Sequence, residues 1–196
     1  MSLKLRVKLG NVSNLSDARY AAGMGVESIG FDLSESNAAR LSPESVKEIT
    51  DWVVGVDIVG ELGLSPASYA AGYPTNYLEF SEGELLPDEQ FNVLRIPTNG
   101  LGMPELESKL KLYSDRVKYF IISIEEPDLA EVGQVLKALA KEYPIFIHTD
   151  FTPYNVHYLL EVVRPQGIEL KGGQEDKPGF KDYDEIAEIL ELLEED

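Results

Sequence analysis

The sequence contains no cysteine among its 196 residues. That absence excludes disulfide bonds, thiolate nucleophiles and zinc sites built on thiolates. Basic residues are scarce as well, because 17 Lys and Arg stand against 35 Asp and Glu and the formal net charge is −18. Nucleic acids and anionic membranes are bound by basic surfaces, so we expect neither as a partner.

Long apolar segments are also missing. No run approaches the roughly 20 apolar residues of a membrane-spanning helix, and no signal-peptide pattern is visible. A cytoplasmic protein is therefore expected. Hydrophobic residues make up 43% of the chain and charged residues 27%, which are ordinary globular values, and the length suits one domain covering residues 1–196.

What the sequence does contain is a hydrophobic pattern that switches repeatedly between the strand and the helix period. Strands are predicted at 3–9, 27–33, 55–60, 77–80, 91–96, 118–124, 145–148 and 167–170. Helices are predicted at 17–24, 43–53, 65–71, 103–113, 129–143, 153–160 and 183–193. This alternation indicates an α/β protein with a parallel sheet, and about eight strand–helix pairs predict a closed (β/α)₈ barrel, the TIM barrel. An open doubly wound sheet is the alternative, disfavoured because no glycine-rich dinucleotide motif follows the first strand.

Two segments carry a family resemblance. VKLGNVSNLSDARYAAGMGVESIGF, at 7–31, resembles the opening of the phosphoribosylanthranilate isomerases. TPYNVHYLLEVVRPQGIELKGG, at 152–173, and PGFKD, at 178–182, are similar to the family's last strand and the loop that follows it. RLSPESVKEI, at 40–49, matches a third stretch between them. The resemblance implies a (β/α)₈ barrel and an isomerase of tryptophan biosynthesis, which performs an Amadori rearrangement on a ribose phosphate.

The resemblance also implies where catalysis would take place. The family's general base is a Cys that ends the first strand, and its general acid is an Asp that ends the sixth. Here these two places are taken by Gly10 and Ser123. Since a general acid and a general base each contribute roughly 10²–10⁴-fold, we expect the isomerase activity to be lost or altered.

The phosphate site implied by the resemblance is changed too. After the sixth strand the chain reads EEPDLAEVG in place of a glycine-rich loop, and after the seventh it has Thr149 and Asp150 in place of two glycines. Lys171, Gly172 and Gly173 follow the eighth strand. They are candidates for phosphate binding, because glycines let an anion approach the backbone N–H groups and the lysine adds positive charge.

Other polar residues lie near the predicted strand ends, which meet at the mouth of a barrel. These candidate site residues are Asp32, Glu79, Arg95, His148 and Asp150. A structural alternative exists, in which Glu79 and Arg95 form an ion pair inside the barrel and His148 is only a hydrogen-bonded strand end. Imidazole and carboxylates can bind metals, but no HxH or HExxH spacing is present, so we predict no metal and no cofactor.

Three functions remain open at this point. The chain could be a divergent isomerase of the family, a barrel that binds or acts on another small anionic or sugar-phosphate ligand, or a catalytically silent structural or regulatory partner. We expect a small anionic ligand and a monomer or homodimer.

Overall fold

The computed structural model describes residues 2–82, 92–98, 101–124, 129–172, 175–177, 180–181 and 183–195. Eight parallel strands form a closed barrel in chain order. Their bounds are β1 Arg6–Gly10, β2 Ser28–Asp32, β3 Asp57–Gly63, β4 Tyr77–Ser81, β5 Asn92–Pro97, β6 Val117–Ser123, β7 Ile145–His148 and β8 Gly167–Lys171. The barrel closes because β8 pairs with β1, in a register that runs from Arg6 opposite Gly167 to Gly10 opposite Lys171. The predicted α/β fold class, a (β/α)₈ barrel, is confirmed.

The described residues form six α-helices, five of them between barrel strands and one after β8. They are α1 Leu15–Gly23, α2 Pro43–Thr50, α3 Met103–Tyr113, α4 Leu129–Glu142, α5 Pro153–Tyr158 and α6 Asp184–Leu192. Several begin where a side chain satisfies a free backbone N–H group. Ser42 accepts a hydrogen bond from the N–H of Ser45, and Thr152 and Asn155 form a reciprocal capping box at the start of α5.

The structure departs from the sequence pattern in four places. The segment predicted as a helix at 65–71 is only a short 3₁₀ turn, Ala67–Ala70, and a single π turn, Leu159–Val163, extends α5. The first strand begins at Arg6, because Leu3 pairs with Glu194 and the N–H of Lys4 donates to the Leu193 carbonyl. A small antiparallel hairpin, β9 Glu175–Lys177 and β10 Phe180–Lys181, follows β8.

Side chains alternate between the outside and the inside of the barrel, as the period of a strand requires. Outward residues such as Leu9, Phe31 and Ile122 belong to the main apolar core. Inside, Val93, Tyr119, Ile121 and Phe146 form a separate apolar cluster, in which the rings of Tyr119 and Phe146 stack at 4.2 Å. Closer to the carboxyl ends of the strands, the interior becomes charged. None of the helices in the described part of the chain is long and apolar enough to cross a bilayer.

Candidate functional site

A fully buried lysine lies at the centre of the charged layer. The Lys8 side chain, on β1, is 0% exposed, and its Nζ contacts one carboxylate oxygen from each of Glu61, Glu79 and Glu169. The Nζ–Oε2 distance to Glu79 is 2.7 Å. These carboxylates come from β3, β4 and β8, so the lysine ties together strands that are distant in the sequence. An ammonium group buried this deeply requires such partners.

Arg95 on β5 is the second cation of the layer. Its Nε donates to Glu79 Oε1 at 2.7 Å and its Nη2 donates to Glu169 Oε1 at 2.6 Å. Its Nη1 donates to the hydroxyl of Ser123 at 2.9 Å. The guanidinium fork therefore links β4, β6 and β8, as its fixed planar geometry allows.

The charges of this layer do not balance. Three carboxylates and two cations leave one negative charge. Burial alone would lower the pKa of Lys8, but Glu169, Glu61 and Glu79 outweigh burial and hold this pKa well above its ordinary value. Burial would likewise raise the pKa values of Glu79 and Glu169, yet Lys8 and Arg95 hold both below their usual range.

Glu61 behaves in the opposite way. Burial raises its pKa, and the neighbouring carboxylates of Glu79 and Glu169 raise it further, while Lys8 only partly opposes them. Of the three carboxylates, Glu61 is therefore the one that takes up a proton most readily. Its side chain is also the most accessible, at 14% exposed.

The glycine at the end of β1 determines where Glu61 lies. A Cβ atom on Gly10 would lie 2.7 Å from Glu61 Oε1 and 3.1 Å from Glu169 Oε1. A Cβ atom on Gly30 would overlap the same Glu61 carboxylate. The two glycines, on β1 and β2, thus leave the space through which the Glu61 side chain crosses the barrel mouth.

His148, at the end of β7, is a neighbour of this layer. Its Nδ1 lies 3.1 Å from the Glu169 carbonyl oxygen and 3.4 Å from Glu169 Oε2. Burial lowers the pKa of the imidazole more than Glu169 raises it. The ring is therefore neutral at pH 7 and adds no positive charge to the layer.

The charged and imidazole side chains predicted at the strand ends line two adjacent cavities. Asp32, Glu79, Arg95 and Lys171 line a cavity of about 540 Å³ at the barrel mouth, together with Glu61. His148, Asp150 and Lys171 line another of about 620 Å³ between the ends of β7 and β8 and helix α6. Lys171 lies between the two cavities. The sequence did not indicate that the candidates would separate in this way.

The predicted phosphate-binding loop has fewer groups available to bind an anion than its sequence indicated. Lys171 is exposed, but the N–H of Gly172 donates to the Gly10 carbonyl at 3.0 Å and is already used. Gly173 lies outside the described residues, as do residues 125–128 of the loop after β6. Asp150 is exposed, and Glu185 and Glu188 also line the cavity beside Lys171.

The three clustered glutamates resemble a metal site in their geometry only. Glu61, Glu79 and Glu169 offer oxygens within 4.8 Å of one another, the one such group among the described residues. The Nζ of Lys8 contacts all three carboxylates and takes the place that a cation would need. The donor set is therefore an internal ion-pair network.

Sequence reasoning did not select Lys8, Glu61 or Glu169. Each is a charged residue between strand neighbours that are mostly apolar, in the strings VKL, GEL and IEL. In a barrel strand the apolar neighbours face the helices, so the charged residue between them faces the interior. That signal was present in the sequence, and it also marks Glu79 and Arg95.

The fold and the polar mouth define the chain as a (β/α)₈ barrel whose candidate site lies at the carboxyl ends of its strands. No family model matches it. It is 27% identical to the N-(5'-phosphoribosyl)anthranilate isomerase of Synechococcus sp., over 97% of this chain and 91% of that protein.

Solved structures agree in fold. Phosphoribosylanthranilate isomerase from Thermotoga maritima superposes with a TM-score of 0.78 at 19% identity, over 96% of this chain and 98% of that one. A structure of the isomerase in complex with reduced 1-(o-carboxyphenylamino)-1-deoxyribulose 5-phosphate gives 0.75 at 20% identity, with the same coverage. The resemblance that the motifs indicated is confirmed: the chain is similar to the phosphoribosylanthranilate isomerases along nearly its whole length.

Proposed function

We propose that this protein is a phosphoribosylanthranilate isomerase-like barrel whose turnover in the Amadori rearrangement is far below that of ordinary family members. Its place would be in tryptophan biosynthesis, in the cytoplasm, by similarity to its relatives. The candidate site is the mouth cavity, and we expect the chain to act as a monomer or homodimer.

One observation carries this proposal. At the place of the family's general base, Gly10 has no titratable group, and the carboxylate of Glu61 fills the space where a side chain would begin. At the place of the general acid, the Ser123 hydroxyl is held by Arg95. A serine hydroxyl is a far weaker acid than a carboxylic acid. Since each missing group removes roughly 10²–10⁴-fold, the loss of the acid alone predicts slow turnover.

The test is a coupled isomerase assay with phosphoribosylanthranilate generated in place, together with complementation of a tryptophan auxotroph. We expect a rate at least 100-fold below that of a family member that has both groups, on the order of the contribution of one of them. We also expect weak complementation or none. A rate equal to that of an ordinary family member would contradict the proposal.

A second candidate function is the binding of another small anionic or sugar-phosphate ligand. It is favoured by the cavity of about 620 Å³ that Lys171, at the end of β8, and His148, at the end of β7, both line. Loops after the last two strands are a common phosphate site in this fold. Asp150, Glu185 and Glu188 on the same wall oppose an anion, so we expect weak affinity.

A further inference from the structure

The carboxylate of Glu61 reaches across the mouth from a strand that is not adjacent to β1. It begins near the end of β3, passes over Gly30 of β2 and ends beside Gly10 of β1. Its Oε1 lies 2.7 Å from the position of a Cβ atom on Gly10. The carboxylate therefore lies close to the place where the functional group of a longer side chain at Gly10 would be.

Two hydrogen bonds hold the carboxylate at this place. The Nζ of Lys8 donates to Oε1, and the backbone N–H of Asn11 donates to Oε2 at 3.2 Å. The Glu61 side chain also lines the mouth cavity of about 540 Å³ and is 14% exposed. Glu61 is therefore fixed in position and still accessible to a small molecule, the two conditions that a proton-transferring group must meet.

We propose that Glu61 is the general base of this barrel and replaces, from β3, the group that β1 does not supply. The proposal rests on the proposed function, in that the substrate is the open-chain protonated imine (iminium) of a ribose phosphate and an arylamine. The raised pKa of Glu61, caused by burial and by Glu79 and Glu169, makes its carboxylate a stronger base than an exposed glutamate.

The step balances within the substrate and this one side chain. The carboxylate of Glu61 takes the proton from the carbon next to the iminium carbon. The electron pair of that C–H bond forms the carbon–carbon double bond, and the C=N pair moves onto nitrogen, which becomes a neutral amine. The product is an enolamine, and Glu61 is left as a carboxylic acid that returns its proton to water.

The experiment compares four proteins on phosphoribosylanthranilate, with the spontaneous rate subtracted: the unchanged chain, Glu61→Gln, Glu61→Asp and Glu48→Gln. Glu48 is exposed on α2, so its substitution makes the same chemical change away from the mouth. We expect Glu61→Gln to lower kcat by roughly 10²-fold or more with little change in KM. Glu61→Asp should retain part of the rate, and Glu48→Gln should equal the unchanged chain.

The pH profile separates catalysis from structure. In the unchanged chain kcat/KM should rise with pH as Glu61 ionises, and Glu61→Gln should lose this dependence. The other charged groups around Glu61 and along the mouth cavity remain in both proteins; they are Lys8 on β1, Asp32 on β2, Glu35 after β2, Glu79 on β4, Arg95 on β5, and Glu169 and Lys171 on β8.

Several results would overturn the assignment of Glu61. These are a turnover of the unchanged chain no faster than the spontaneous rate, a Glu61→Gln variant as active as the unchanged chain, or a loss that lies in KM alone. Turnover at an ordinary family rate would contradict the proposed function but not the assignment, which the ratio of Glu61→Gln to the unchanged chain still decides.

Discussion

Glu61 Oε1 lies 2.7 Å from the place where Gly10 would carry a Cβ atom, so one residue's side chain fills the space that the other leaves empty. The two residues belong to β3 and β1, which are separated by β2 in the barrel. The glycine and the glutamate therefore depend on each other. Three predictions test this pair and the layer around it, and a fourth tests the cavity at the end of β8.

Substitution of Gly10 should be costly because of Glu61. A methyl group at Gly10 forces the carboxylate to swing aside and to lose its hydrogen bonds to Lys8 and Asn11. We expect Gly10→Ala to lower the free energy of unfolding by about 1–3 kcal/mol, the range of a charge-assisted hydrogen bond. Urea unfolding measures it, with Gly23→Ala as the control, since a Cβ atom there meets nothing within 4 Å. Equal costs of Gly10→Ala in the presence and the absence of Glu61→Ala would contradict the coupling.

Substitutions of Lys8 and of Glu61 should have very different effects on the free energy of unfolding. Lys8→Met leaves three buried carboxylates with only Arg95 as a cation, and we expect a loss of about 3–5 kcal/mol in the free energy of unfolding. Glu61→Gln removes the one unbalanced negative charge, so its stability at pH 7 should equal or exceed that of the unchanged chain. The exposed pair of Lys47 and Asp51 provides the control, because Lys47→Met should cost less than about 1 kcal/mol. Similar losses for Lys8→Met and Lys47→Met would show that the buried network is not as described.

The pH dependence of the free energy of unfolding should reflect the raised pKa of Glu61. Its pKa is raised in the folded state, so its ionisation opposes folding. The stability that the protonated group contributes is fully present below its unfolded-state pKa of about 4.3. That stability is lost as the pH rises through its folded-state pKa. The advantage of Glu61→Gln over the unchanged chain should therefore grow as pH rises from about 4 and then become constant. Glu169 has the opposite sign: its lowered pKa gives stability above the unfolded value that is lost as pH falls. Urea midpoints of both proteins between pH 4 and pH 8 measure the difference, and a difference that shrinks as pH rises would refute the assignment.

Phosphate binding at the end of β8 should be weak and should respond to single charges. Asp150→Gly removes a carboxylate from the wall of the cavity that Lys171 also lines, so we expect it to tighten binding. Lys171→Ala should weaken it. Calorimetric titration with inorganic phosphate measures both, with Glu48→Gln as the control for net charge, because exposed charges farther than about 8–10 Å are screened at physiological salt. If neither substitution changes the affinity, no anion site exists there and a catalytically silent role gains support.

The sequence predicted the fold well because strand and helix periods are local signals. All eight barrel strands were predicted, although their ends are shifted by a few residues. At β1, for example, Leu3 pairs with a residue just after α6 and does not belong to the strand. The segment Ala67–Ala70 was harder, since a 3₁₀ turn and a short helix share one pattern. The hairpin of β9 and β10 was missed because its strands have three and two residues, too few for a period to be recognised.

The candidate site was predicted in part, for a physical reason. The ion pair of Glu79 and Arg95 joins adjacent strands and was predicted from the sequence as the structural alternative. The contact between Lys8 and Glu61, by contrast, joins residues 53 positions apart in the chain. Which buried cation meets which carboxylate depends on the register of every strand in between, and no local pattern carries that information.

The sequence by itself determined that this protein has no thiol chemistry, that its surface is acidic and that it forms a (β/α)₈ barrel. Through the family resemblance it also predicted that Gly10 and Ser123 stand at the places of the family's base and acid. The tertiary structure alone decided what fills those places. When the barrel closes, the Glu61 carboxylate lies beside Gly10. The N–H of Gly172 donates to the Gly10 carbonyl, and Arg95 donates to the Ser123 hydroxyl. These contacts exist only when all eight strands share one interior, because each joins groups that the chain holds far apart until the sheet closes.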